Sequence, residues 1–188
     1  MGKIRLIVLR HGETDHNRIG RYQGTVDTPL NETGRAQAAS AVDYLRLQGI
    51  DHILSSPQAR AWETAEIVGT ALGLKVTPDP AFVERNFGVF EGKTREEIAS
   101  EYPELLRENA SRQIHASMPG GESLFELATR VHTGVREIQR LYSDVTMLLV
   151  CHGGALRALH GVLRRATDQQ YFSYQLANGE MDDYILAG

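Results

Sequence analysis

The sequence predicts an α/β fold, a three-layer sandwich in which a mostly parallel central sheet is flanked by helices. Two observations predict it: short apolar segments alternate with longer segments of helical spacing, and no repeat, low-complexity tract or obvious linker interrupts them. The 188 residues, 41% hydrophobic and 23% charged, suffice for one domain with a sizeable core. We therefore expect a single domain over residues 1–188.

Two strand and helix pairs are predicted in the first half of the chain. Residues 3–9, KIRLIVL, read as a buried strand, and residues 31–49 show helical spacing that ends at Gly49. Residues 51–56 are a second short strand. Ser56 and Pro57 then predict a helix over 57–72, because a hydroxyl can cap free N–H groups and proline fits the first helical position.

The second half continues the alternation. Two capping boxes open helices: Thr94 with Glu97 near residues 94–101, and Ser123 with Glu126 near residues 123–142. Three further elements complete the pattern: a buried strand at 145–150, a helix at 153–163 and a final strand at 182–187. Such alternation indicates a largely parallel sheet, in which ligands bind beyond the carboxyl ends of the strands.

Composition excludes several classes of partner. The 24 acidic residues outnumber the 20 basic ones, so no positive field favours nucleic acid or an anionic membrane. Cys151 is the single cysteine and cannot form an internal disulfide, and the apolar run at 4–9 is too short for a signal peptide or a membrane span. We expect a cytoplasmic protein; its oligomeric state is left open, with a homodimer as one option.

Polar motifs follow three of the predicted strands. RHGET begins at Arg10 after the first strand, SSPQAR ends at Arg60 after the second, and CHGG contains His152 after the third. In a parallel sheet all three lie at one edge. Two guanidiniums can each grip phosphate oxygens and two imidazoles, His11 and His152, can flank the phosphorus, while glycines such as Gly153 admit close backbone approach. The sequence therefore predicts an oxyanion pocket.

Six motifs in order resemble the histidine phosphatase superfamily, which contains cofactor-dependent phosphoglycerate mutases and many small phosphatases. The motifs are LRHGETDHN, GRYQGTVDTPLNETGRAQA, SSPQARAWETA, ERNFGVFEG, PGGES and CHGG, and they cover the chain from Arg10 to about Arg157. Six motifs in sequence are a much stronger signal than any one of them.

The resemblance implies roles for nine residues. His11 would be the nucleophile that becomes phosphorylated, with Arg10, Arg60 and His152 stabilising the transferring group and Glu84 donating the proton. Four further residues would bind substrate: Asn17, Gln23, Gly24 and Gly153. A segment at about 85–122 would form a short cap that sets specificity. The expected enzyme is a metal-independent phosphomonoesterase that needs no cofactor and acts on small phosphorylated metabolites.

Several alternatives stay open at this point. A phosphoglycerate mutase would transfer the phosphoryl group to another hydroxyl, and a regulator would bind the anion without turnover. Cys151 and Arg157 have the spacing of cysteine-dependent phosphatases, although Ala158 replaces the usual Ser or Thr. Glu13 and Glu91 compete with Glu84 for the acid role. Six basic residues of the cap could hold a second anionic group: Arg85, Lys93, Arg95, Arg107, Arg112 and His115.

Overall fold

A five-stranded sheet is the central element of the computed structural model, which describes residues 2–110 and 114–187. The strands are β1 (Lys3–Arg10), β2 (His52–Ser55), β3 (Val76–Pro78), β4 (Val145–Cys151) and β5 (Met181–Ala187). Their order is β3-β2-β4-β1-β5. The first four strands are parallel, and β5 pairs with β1 in the antiparallel direction. The predicted α/β class with a mostly parallel sheet is confirmed.

Helices cover both faces of the sheet. They are α1 (Asp15–Arg18), α2 (Glu32–Arg46), α3 (Ala59–Leu72), α4 (Arg95–Glu101), α5 (Pro103–Ala110), α6 (Leu124–Leu141), α7 (Gly153–Arg164) and α8 (Asp168–Ser173), with two short 3-10 helices at Pro80–Phe82 and Gly88–Phe90. No helix within the described ranges is long and apolar enough to cross a membrane.

Alternation along the strands divides the core into two layers. On β1, Ile4, Leu6 and Val8 face one cluster, whereas Ile7 and Leu9 face the other, as the two-residue period of a strand requires. The first cluster packs against α6 and α7, and the second against α2 and α3. Because both faces are buried at the centre of the sheet, the middle of β1 and of β4 is an unbroken apolar run.

The start of α3 corrects one sequence prediction. The helix begins at Ala59 and not at Pro57, and its N-cap residue, Gln58, makes no side-chain capping bond. The Ala59 N–H instead donates to the Asp27 carboxylate at 2.6 Å. The Ser56 hydroxyl bonds the ring of His152 at 2.8 Å. The Ser56 hydroxyl also accepts from the Gln58 N–H at 3.3 Å, so Ser56 and the distant Asp27 together bind the free N–H groups at the start of the helix.

The segment at 85–122 has a small apolar cluster of its own. Phe90, Ile98 and Met118 are buried together, and Tyr22 and Tyr102 pack against them. The capping boxes at Thr94 and Ser123 are both present and open α4 and α6. This cluster is separate from the two clusters that cover the faces of the sheet. The single-domain boundary stays a prediction.

Candidate active site

Strand register brings the two histidine motifs side by side. Arg10 is the register partner of Cys151 in the β1 and β4 pair, and the His11 N–H donates to the Cys151 carbonyl at 3.0 Å. The rings of His11 and His152 consequently lie 5.1 Å apart between centroids. Arg60 reaches them from α3, where its Nε donates to His152 Nδ1 at 3.1 Å.

His11 is held in one tautomer. Its Nδ1 lies 2.7 Å from the carbonyl oxygen of Gly12, and since a carbonyl only accepts, Nδ1 carries the proton. The Nε2 lone pair is therefore the free one. Burial, followed by the charges of Arg60 and Arg10, holds the pKa of His11 well below its usual range. The imidazole is neutral at pH 7, as a nucleophile must be.

His152 has the opposite tautomer. Its Nδ1 accepts from Arg60, so the proton is on Nε2, which lies 2.8 Å from the Ser56 hydroxyl. Its side chain is fully buried, and burial together with the Arg60 charge lowers its pKa well below the usual range. The site thus contains two neutral imidazoles beside fixed guanidinium charges.

Arg60 is fixed by the loop that precedes α2. Its Nη1 donates to the Val26 carbonyl at 2.9 Å and its Nη2 to the Gly24 carbonyl at 2.8 Å. Gly24, which is predicted to contact substrate, also positions this arginine through its carbonyl. The φ of Gly24 is +53°, and a Cβ on this residue would lie 1.9 Å from Glu91 Oε1. Both features favour glycine at this position.

Arg10 has a buried donor without a partner. Its Nη1 donates to the Leu176 carbonyl at 2.6 Å, but no atom in the described part of the chain accepts from its buried Nε. A Cβ on Gly153, the first residue of α7, would lie 3.6 Å from that Nε. An unpaired buried donor costs free energy unless a ligand completes it, and a phosphate oxygen is suited to do so.

Glu84 caps the N-terminus of α7. Its carboxylate accepts from the N–H of Gly154 at 3.0 Å, of Ala155 at 3.2 Å and of Arg85 at 2.7 Å. A Cβ at Gly154 would come within 2.3 Å of Glu84 Oε1, so this approach requires glycine. The helix begins beside His152, and Glu84 is therefore at the same end of the sheet as the histidines and arginines.

The rival carboxylates are both engaged in loops. Glu13 Oε1 accepts from the Asn31 side chain at 2.8 Å. Glu91 Oε1 accepts from the N–H of Thr25 at 2.8 Å and of Phe87 at 3.0 Å. Because Glu84 also accepts backbone N–H groups, these bonds do not separate the three carboxylates, and Glu84 stays the predicted acid.

Asn17 and Gln23 present their amide nitrogens. Asn17 Oδ1 accepts from the Thr14 N–H at 3.1 Å. Gln23 Oε1 accepts from the Thr14 hydroxyl at 3.0 Å and also from the hydroxyl of Thr28. With each oxygen occupied, the NH₂ ends are the groups that can donate to phosphate oxygens.

Asn178 is a site residue that sequence reasoning missed. Its Nδ2 donates to the His11 carbonyl at 2.9 Å and lies 3.3 Å from Asn17 Oδ1. The residue precedes β5, and the Gly179 N–H donates to the Arg10 carbonyl at 3.1 Å. The sequence signal for Asn178 was weak, because an Asn-Gly pair before a strand is typical of an ordinary turn.

Two glycines bring the start of α2 against the His11 loop. A Cβ at Gly12 would lie 2.3 Å from the Gly34 carbonyl oxygen, and a Cβ at Gly34 would lie 2.1 Å from that of Glu13. Real Cβ contacts are never this short. The Gly12 N–H donates to the Thr64 hydroxyl at 3.1 Å, which joins the same loop to α3.

The cysteine alternative does not fit the geometry. Cys151 is fully buried in the apolar layer beneath α7, and burial raises the pKa of its thiol. Arg157 Nε donates to the Tyr174 carbonyl at 3.1 Å. A buried, protonated thiol is a poor nucleophile. Within residues 2–110 and 114–187, no group of three or more His, Cys, Asp or Glu side chains could hold a metal ion.

Among the cap's basic residues, Arg85 is the buried one. Its side chain is 6% exposed and its Nε donates to the Glu122 carbonyl at 2.8 Å. The others that the structure describes lie further out: Lys93 pairs with Glu101, Arg107 pairs with Glu104, His115 contacts the Phe125 ring, and Arg95 is exposed. Arg112 lies outside the described residues.

Known proteins resemble this chain in both sequence and structure. A Yersinia pestis (strain Pestoides F) protein named "Probable phosphoglycerate mutase GpmB" is 36% identical over 160 residues, which are 85% of this chain and 74% of that protein. A mycobacterial glucosyl-3-phosphoglycerate phosphatase solved with VO3 superposes with a TM-score of 0.86 at 31% identity, covering 95% of this chain and 90% of that one.

A third relative is the alpha-ribazole phosphatase of Shigella flexneri, with a TM-score of 0.87 and 27% identity over 95% of this chain and 89% of that one. The family model of the histidine phosphatase superfamily (branch 1) matches residues 6–183. That match includes every residue of the site described above, and the chain belongs to the histidine phosphatase superfamily.

Proposed function

We propose that this chain is a phosphomonoesterase that hydrolyses small phosphorylated metabolites through a phosphohistidine on His11. The single observation that carries the proposal is the 2.7 Å bond from His11 Nδ1 to the Gly12 carbonyl, which fixes the proton on Nδ1 and frees Nε2. A neutral, buried imidazole with a free Nε2 lone pair, under the positive charges of Arg60 and Arg10, is an activated nucleophile for phosphorus.

The first step is displacement at phosphorus. His11 Nε2 forms the new N–P bond as the P–O bond to the alcohol breaks, and the proton on the Glu84 carboxyl group passes to the departing oxygen. Arg10 and Arg60 bind the equatorial oxygens, Arg10 through its unpaired Nε and Arg60 through its remaining N–H groups. The two guanidinium charges stabilise the negative charge on these oxygens. The NH₂ groups of Asn17 and Gln23 add hydrogen bonds.

The second step returns the enzyme to its starting state. Glu84, now ionised, takes a proton from a water molecule whose oxygen attacks phosphorus and breaks the N–P bond. Inorganic phosphate leaves and Glu84 is again protonated. The guanidiniums supply the positive charge that other phosphoryl-transfer sites draw from metal ions, so the reaction is expected to proceed in the presence of EDTA.

Phosphoglycerate mutase-type transfer is the second candidate, and the name of the Yersinia relative favours it. The names of the two structural relatives described above favour hydrolysis. The cap also supports hydrolysis, because a mutase must keep water from the phosphoenzyme and grip a carboxylate, whereas this cap has one buried arginine, Arg85, in its described part.

A labelling experiment tests the proposal. Enzyme mixed with a ³²P-labelled phosphomonoester and quenched in alkali should carry acid-labile, alkali-stable label, as a phosphohistidine does, and His11→Ala should carry none. Cys151→Ser is the matched control and should label normally. Absence of label on the active native enzyme would overturn the histidine mechanism. Conversion of 3-phosphoglycerate to 2-phosphoglycerate faster than phosphate release would favour the mutase.

A further inference from the structure

We propose that an apolar cavity beside α7 receives the leaving group, and that the substrate is therefore the phosphate ester of an alcohol carrying an aromatic or alicyclic ring. This inference rests on the proposed function, because it assigns the part of the substrate that the phosphoryl site does not touch. None of the motifs that identify the family supplies the walls of this cavity.

The cavity has a volume of about 270 Å³ and a mainly apolar wall. Residues from four segments line it, among them Ile114, Leu124, Ala128, Ala158, Val162 and Tyr171. Asp168 is the one charged residue among those described as lining it. An anionic leaving group would lose its hydration there without gaining a cationic partner.

The cavity wall begins about one helical turn along α7 from the residue that binds the candidate acid. Ala155 N–H donates to Glu84, and Ala158 of the cavity wall is three residues further along α7, or roughly 4.5 Å at the helical rise per residue. Gly161 continues the wall on the same helix. Because Glu84 protonates the departing oxygen, the carbon skeleton attached to that oxygen extends from Glu84, and α7 runs from the Glu84 contact at Ala155 to the cavity wall at Ala158.

Tyr171 joins the cavity to the catalytic end. Its ring lines the cavity, and a Cβ on Gly161 would lie 2.8 Å from that ring, so glycine allows the ring to rest on α7. Its hydroxyl is buried, and no described residue pairs with it. Burial raises the pKa of this hydroxyl, and the charges of Arg157, Arg85 and Glu84 also act on it. It is suited to hydrogen-bond a polar atom between the phosphate and the ring.

The volume sets the size of the group. A dry apolar cavity of about 150 Å³ accommodates benzene. A cavity of about 270 Å³ therefore holds a six-membered ring with room for ring substituents or a fused second ring. Transfer of a phenyl-sized group from water into such a cavity should increase the affinity for the substrate roughly 10- to 100-fold.

The test compares two esters that differ only in the ring. Ethyl phosphate and 2-phenylethyl phosphate have primary alkoxide leaving groups of similar basicity, so both demand the same proton donation. We expect the native enzyme to hydrolyse the phenylethyl ester with a kcat/KM roughly 10-fold or more higher, mainly through KM. Ala128→Phe, which fills the cavity from α6, should remove most of that advantage and leave ethyl phosphate within about twofold.

Controls separate the possible outcomes. Thr129→Phe adds the same ring to an exposed position of α6 and should preserve the preference, and Val162→Phe fills the cavity from α7 if the first variant does not fold. Equal kcat/KM for the two esters, or equal slowing of both by the filling variants, would overturn the cavity assignment while leaving the phosphatase intact. Hydrolysis of neither ester, with no labelled enzyme, would instead be a failure of the proposed function.

Discussion

The phosphoryl end and the leaving-group end of the site are built in contrasting ways. At the phosphoryl end, His11, His152 and Arg60 are tied to one another or to backbone carbonyls by bonds of 2.7–3.1 Å. At the leaving-group end, the cavity is apolar and the Tyr171 hydroxyl has no partner in the described part of the chain. The phosphoryl end is preorganised to bind a charged group of fixed shape, and the leaving-group end provides an apolar cavity for groups of varying shape.

This difference teaches how the two ends can change independently. Strand register and glycines that permit no side chain fix the groups that hold phosphorus, so substitution of such a group, His11 for example, should act on every substrate alike. The cavity depends on side-chain size at positions such as Ala128 and Val162, so substitutions there should act on one substrate and spare another. Variants at the phosphoryl end provide the sharpest test of that division.

The largest effect is expected for His11→Ala. Removal of the nucleophile should lower kcat by at least ~10³-fold for the ethyl and phenylethyl esters equally, because covalent catalysis is lost whatever the leaving group. Steady-state kinetics and a thermal melt check the result, and the melt should show a folded protein. Unequal losses for the two esters would break the proposed division between the ends.

Glu84→Gln should produce a large but substrate-dependent loss. Glutamine can still accept the N–H groups of Gly154 and Ala155, but it has no transferable proton. Alkyl phosphates should slow by about 10²- to 10⁴-fold, the usual contribution of general acid catalysis. p-Nitrophenyl phosphate should slow far less, because its leaving group needs little protonation. Equal slowing of both would exclude Glu84 as the acid and return attention to Glu13 and Glu91.

Asn178→Ala should have an intermediate effect. Loss of the donor to the His11 carbonyl loosens the loop that fixes the nucleophile, and we expect about a tenfold lower kcat with little change in KM, in line with the sensitivity of rates to small misplacements. As a positioning residue it should leave the preference between the two esters unchanged. A shift in that preference would mean that the β5 loop also shapes the leaving-group end.

The smallest effect concerns stability against pH. His11 and His152 are buried and neutral with pKa values well below the usual range, so below about pH 6.5 the unfolded chain binds more protons than the native one. The free energy of unfolding should therefore fall as the pH drops from 7.5 to 5.5, by about 1 kcal/mol for each histidine. Urea denaturation of His152→Gln should show a smaller fall. An unchanged pH dependence would mean that the pKa of His152 is the same in the native and the unfolded chain.

The phosphoryl end could be predicted from the sequence because its residues lie in contiguous motifs after buried strands. Arg10, His11, Arg60 and His152 follow β1, β2 and β4, and the rule that parallel strands end at one edge brings them together. The tautomers could not be predicted, since they depend on hydrogen bonds such as that between His11 Nδ1 and Gly12.

The leaving-group end was beyond sequence analysis for physical reasons. Its walls come from α6, α7, α8 and the loop at Ile114, and no local pattern links these segments. β3 was also missed, because it has three residues, ends in Pro78 and lies at the sheet edge, where proline is tolerated. β3 precedes Glu84 in the chain. The motif predicted Glu84 as the acid, but the strand that positions this part of the chain was not predicted.

The contact between Gly12 and Gly34 has a consequence for the variation that this protein can tolerate. Because each glycine abuts the backbone of the other's segment, at 2.3 and 2.1 Å from a Cβ, neither position can accept alanine unless the loop and α2 separate. In a saturation library both sites should be depleted of all replacements, singly and together, since two alanines would add two clashes and relieve none. In directed evolution towards new substrates, we therefore expect beneficial substitutions in α6, α7 and α8 and none in the loop that contains His11 and Gly12.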